Sequence, residues 1–81
     1  MIANKEKLRS FLKAKKLSEK DFAALLNIEQ NEADKLLNGE SVGKETAHNF
    51  IYFFKAELAQ HYIDWQATGV KNPLAENNEN N

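Results

Sequence analysis

Cysteine is absent, so neither a disulfide framework nor a thiolate metal site can form. Proline occurs once and glycine three times in 81 residues, so breaker signals are few and each is informative. No stretch resembles a signal peptide or a membrane span, and a cytoplasmic protein without membrane attachment is expected. Neither charge sign dominates: eleven Lys and Arg stand against twelve Asp and Glu, and the formal net charge of −1 gives no global attraction to nucleic acid. A glycine-rich phosphate loop is missing. The two histidines, His48 and His61, lie thirteen positions apart on one predicted helix. That is about 20 Å of helix, too far to share a metal ion. No catalytic residue, metal or cofactor is expected, and the chain does not read as an enzyme.

What remains is one small domain. Apolar content of 42% and charged content of 28% are ordinary for a globular chain, whose core at this size is small. The neutral total hides an asymmetry. Residues 1–16 carry Lys5, Lys7, Arg9, Lys13, Lys15 and Lys16 against Glu6 alone. Residues 17–40 carry Lys20 and Lys35 against Glu19, Asp21, Glu29, Glu32, Asp34 and Glu40. The basic charge precedes the central segment rather than lying on it.

That segment, Leu17 to Gly39, reads as two short helices around a tight turn. Ser18 precedes the apolar-periodic Phe22, Leu25 and Leu26, with Asp21 three residues on, which is a capping box with Asp in place of Glu. Leu17 and Phe22 stand at the positions of a hydrophobic staple. Asn27 falls where a left-handed residue ends the first helix. The second helix carries Ala33 and Leu36 inward and stops at Asn38-Gly39. Two such helices make a helix-turn-helix.

Leu17-Ser18, Phe22-Ala23, Leu26, Ile28, Leu36 and Asn38-Gly39 resemble the lambda-repressor-like helix-turn-helix family, the phage Cro and repressor type of the XRE group. The resemblance runs from Leu8 to Phe54, over half the chain. Ala23 fits it physically, since the two helices cross closely there. Upstream, Asn4 is a candidate cap for a helix with Leu8, Phe11 and Leu12 on its buried stripe. Lys16 stands where relatives often place glycine.

After a turn at 40–43 the pattern is helical from Lys44, with no Gly or Pro before Gly69. Ala47, Phe50, Ile51, Phe54, Leu58 and Tyr62 form one stripe, and Tyr52, Phe53, Ala56, Ala59 and Ile63 a second set. Relatives end this helix near Phe54; here no stop signal is visible, so one long helix or two nearly continuous ones are expected. About twenty residues span ~30 Å and outrun a four-helix core. Either a second copy covers the extra apolar set, with Tyr52, Phe53, Ile63 and Trp65 at the dimer interface, or a fifth helix folds back. The expected fold is therefore all-α, four to five helices, with an extended C-terminal helix. Residues 1–66 form the domain and 67–81 a flexible polar tail.

The resemblance implies a DNA-binding surface. Gln30, Asn31, Glu32 and Lys35 match base-reading positions, and Gln or Asn can pair with adenine while Lys reaches guanine. Ser18, Asn38 and Lys44 match phosphate-contact positions. Other phosphate positions are altered: Glu19 replaces a Gln, Leu12 an arginine, and Glu40, Val42, Gly43 and Glu45 a basic loop. Two functions are compatible with this pattern. One is a small transcriptional regulator that binds double-stranded DNA as a homodimer, assisted by a lysine-rich amino-terminal arm. The alternative is a helix-turn-helix turned to a protein partner, as in an antirepressor or modulator. An exposed Leu37, where relatives place a polar residue, would suit that use.

Overall fold

Asn4 opens the first helix by accepting from the Lys7 amide, as its side chain and position suggest. The structure is a computed structural model that describes residues 1–69. Its helices are α1 (Lys5–Lys15), α2 (Glu19–Leu26), α3 (Gln30–Leu37), α4 (Lys44–Ala59) and α5 (Trp65–Thr68), with a 3-10 turn at Gln60–Tyr62 between the last two. The fold is all-α, and among the described residues β-structure is limited to two isolated antiparallel bridges, Ile2 with Ser41 and Ala3 with Ile63. Those residues also contain no helix long and apolar enough to cross a membrane.

The central segment folds as its local chemistry dictates. The Ser18 hydroxyl accepts from the Asp21 amide at 3.0 Å, and the Asp21 carboxylate accepts from the Ser18 amide at 3.1 Å. Asn27 closes α2 in the left-handed region at φ 55°, and the Ile28 amide reaches back to the Ala23 carbonyl at 3.0 Å. Ala23 is buried where α2 meets α3. Gly39, at φ 71°, ends α3, and the Glu40 amide bonds to the Lys35 carbonyl. A β-carbon at Gly39 would rest on the Lys5 side chain in a strained backbone conformation. Lys16 closes α1 in the same left-handed region, at φ 57°, without the freedom of glycine.

An aromatic cluster fills the centre. Phe54 stacks on Tyr62 with ring centres 4.6 Å apart and meets Phe11, Phe50 and Phe53 edge-on at 5.1, 5.0 and 4.9 Å. Phe22 and Phe50 are fully buried beside it. Such edge-on pairs add to the energy of simple area burial.

The helix after Lys44 is not straight. Lys55 leaves the helical region at φ 69° and ψ 153° and divides α4 at a kink, so the expected continuous run is broken there. That backbone region is close to one populated almost only by glycine and costs about 1–3 kcal/mol for other residues. The break also rotates the residues beyond it. Leu58, expected on the buried stripe, is exposed, and Ala59 is buried in its place. Ile51, from the same stripe, is exposed as well.

Beyond the break the chain folds back. Tyr62 packs on Phe54 and Phe11, and Ile63 lies against the core. Here it meets the amino terminus, which is tied down on both sides. The Val42 amide bonds to the Met1 carbonyl at 3.0 Å, the Asp64 amide to Ile2 at 2.8 Å, and the Asn4 amide donates to Tyr62 at 2.8 Å. The expected free arm is thus a pinned extended segment, and the lysines it was to supply lie on α1. The body runs past residue 66, since Ala67 and Thr68 belong to α5 and the Thr68 hydroxyl accepts from the Ile2 amide. The rest of the expected tail, 70–81, lies outside the described residues.

Candidate nucleic-acid interface

The buried side of α3 fixes what its other side presents. Ala33, Leu36 and Leu37 are fully buried, anchoring the helix to α1 and α2. Leu37 therefore gives no apolar handle to a partner, because it belongs to the buried core. On the opposite side, Gln30, Asn31 and Asn38 are exposed, and Glu32, Asp34 and Lys35 half-buried.

Several of these groups already have partners. The Gln30 amide nitrogen donates to Asp34 Oδ1 at 3.1 Å, one turn along. Lys35 Nζ lies 3.1 Å from Glu32 Oε2. The Thr46 hydroxyl, buried at the start of α4, donates to Glu32 Oε1 at 2.7 Å. Glu32 is thereby held below its ordinary carboxyl range, first by Thr46 and then by Lys35. It braces α3 against α4 and is an acceptor only, suited among bases to a cytosine amine.

Asn31, Glu32 and Lys44 line one open groove of about 480 Å³ between the amino-terminal turns of α3 and α4. Glu29 and Glu45 share it, so its charge is mixed and leans acidic. Asn38 stands apart, at the far end of α3, ~10 Å from Asn31 by helical rise. There its side-chain oxygen accepts from Arg9 Nη2 at 2.9 Å. Ser18 is exposed at the head of α2, its hydroxyl committed to the cap.

Arg9 is a member of this surface that the sequence reading passes over. Its signal was present: Lys5, Arg9 and Lys13 recur every four residues on α1, one basic stripe beside the buried one. Thr46 is a second such member, and a lone threonine in a first helical turn carries no comparable signal.

The expected dimer residues separate. Tyr52 is 74% exposed. Phe53 is half-buried, edge-on to Phe22 and Phe11 at 6.5 and 6.4 Å. Ile63 is bridged to Ala3, and the Trp65 indole N–H donates to the Gln60 carbonyl at 3.0 Å. Phe53, Ile63 and Trp65 thus serve the folded-back body of a single chain. Among the described residues, Leu25, Ile51 and Leu58 join Tyr52 as the exposed large apolar residues.

Among the described residues no cluster of His, Asp or Glu could hold a metal ion. Comparison with protein-family models, curated proteins and solved structures found no match in any of the three.

Proposed function

We propose that this chain is a small transcriptional regulator of the lambda-repressor-like type, binding double-stranded DNA as a homodimer through a helix-turn-helix formed by α2 and α3. The observation that carries this reading is the exposed first turn of α3, with Gln30 and Asn31 facing outward from a helix whose inner side is fully buried. Reading a base edge needs donors and acceptors on a rigid support, and this turn supplies both. The Arg9–Asn38 pair adds a guanidinium at the far end of the same helix. Phosphate contacts would come from Arg9, Lys44 and the backbone amides at the head of α2. No catalytic chemistry enters this reading.

A second reading is favoured by one specific observation. Gln30 and Lys35 are each tied to an acid of their own helix, so groove reading must first displace Asp34 and Glu32. A helix-turn-helix whose face is acidic suits a basic protein partner, as in an antirepressor or modulator.

Selection from random duplexes at ~50 mM salt separates the two, because phosphate attraction is strongest there. Enrichment of one sequence, lost in Gln30→Ala with Asn31→Ala, supports the regulator. An absence of any retained duplex at that salt, with capture of a protein by the same face, favours the modulator.

A further inference from the structure

Lys55 sits in a backbone conformation foreign to lysine, inside a stretch with no sequence reason to break. From Lys44 to Thr68 there is neither glycine nor proline, and the residues after the break, Ala56, Glu57 and Leu58, are strong helix formers. Yet the φ of 69° and ψ of 153° turn the chain back on itself. The local preference is a continuous helix; the tertiary preference is a folded-back segment. In one chain these cannot both be met.

A lone chain that straightened at Lys55 would lose too much. It would carry Ala59, Tyr62 and Ile63 away from the core, breaking the Tyr62 stack on Phe54 and the bonds from Asn4 and Asp64 to their partners. Phe11, Phe54 and Ala3 would be left uncovered. A second copy removes the conflict, because its own segment can fill the vacated place with identical contacts. Two-fold exchange closes on itself and leaves no unpaired segment. A short hinge under strain is the feature that invites such exchange.

We infer that this chain dimerises by exchanging residues 56–69: α4 runs straight through Lys55, and each copy's Tyr62 and Ile63 pack on the Phe11, Phe54 and Ala3 of the other. The surface that binds the partner is the one now occupied by the chain's own carboxy-terminal segment. This deepens the dimer in the proposed function but stands separately from DNA binding, since neither Gln30 nor Asn31 takes part.

The absence of cysteine supplies a direct test. Ala3 and Ile63 face each other in an antiparallel bridge, so Ala3→Cys with Ile63→Cys places two thiols in reach of one disulfide. The protein is refolded at high concentration, separated by size, oxidised with copper phenanthroline and run on a denaturing gel without reductant. The dimer fraction should run as covalently linked pairs and the monomer fraction as single chains. Because the buried Ala3 position can resist substitution, light scattering on the cysteine-free chain runs in parallel. Refolding at high concentration should give a twofold mass, and Lys55→Gly, which suits the bend, should return the single-chain mass. A dimer fraction that denatures to single chains overturns the exchange, as does a single-chain mass at every refolding concentration. DNA retention by a strictly monomeric protein would sink the exchange together with the homodimer of the proposed function, and leave only its DNA contact standing; an exchanged dimer that retains no DNA would uphold the exchange and sink the regulator reading.

Discussion

Arg9 of α1 and Asn38 at the end of α3 are joined by a 2.9 Å hydrogen bond across twenty-nine positions of sequence. The guanidinium is exposed and keeps most of its five donors for other acceptors. If α3 enters a groove, this arginine lies beside the backbone at its edge. Arg9→Ala should then weaken DNA binding about equally for all sequences and lower the salt slope by about one. Folding stability should change by no more than about 0.5 kcal/mol, as for most surface positions. Anisotropy titrations at several salt concentrations read the first, and urea melts the second.

Asp34 distinguishes the two proposed uses. Its carboxylate holds the Gln30 amide and repels phosphate. Asp34→Ala should raise DNA affinity, by roughly 2- to 5-fold on the scale of an exposed charge contact. A basic protein partner would instead lose affinity. Parallel titrations with a selected duplex and with the captured partner report the two signs.

The pH dependence of stability has a definite direction. The backbone bond from Ser18 and then its hydroxyl hold the Asp21 carboxyl below its ordinary 3.8, while Thr46 and then Lys35 hold Glu32 below its ordinary 4.5. Both values are lower in the folded chain than in the unfolded one. Their contributions are thus complete above those ordinary values and are lost as the pH falls through the folded ones. Thr46→Val removes the largest cause at Glu32, so its stability should fall less between pH 7 and pH 3 than that of the natural chain. Ser18→Ala should cost about 1 kcal/mol at pH 7 through the lost cap. Urea melts at the two pH values check both.

Two lysines occupy backbone conformations that favour glycine. Lys16→Gly and Lys55→Gly relieve φ values of 57° and 69°. Each should stabilise the folded monomer by about 0.5–1 kcal/mol, the strain relieved less the extra freedom glycine gives the unfolded chain. Their contributions should add, since the sites share no partner. Chemical denaturation of the two single variants and the double variant measures this.

How much the sequence discloses depends on the range of the forces involved. Ser18 with Asp21, Asn27 and Gly39 are governed by neighbours within four residues, and each does what its chemistry implies. Gln30 and Asn31 are likewise exposed because Ala33 and Leu36 turn the other way. Lys55 obeys distant partners: Phe11, Phe54 and the amino-terminal segment draw the chain back against its own helical preference. Leu37 reads as exposed from its own helix, whereas the assembled core buries it completely. The pinning of Met1 to Asn4 depends on residues near 42 and 63, beyond the reach of any local pattern. Arg9 is legible in the sequence, since it recurs at four-residue spacing with Lys5 and Lys13.

The central claim is that α3 meets DNA with its exposed side. Adding a selected duplex to isotope-labelled protein and following its backbone amide resonances tests it residue by residue. Changes centred on Gln30, Asn31, Arg9 and Lys44, with Leu25 and Tyr52 unmoved, are the predicted result. Resonances at Gln30 and Asn31 that stay in place while others move would contradict it.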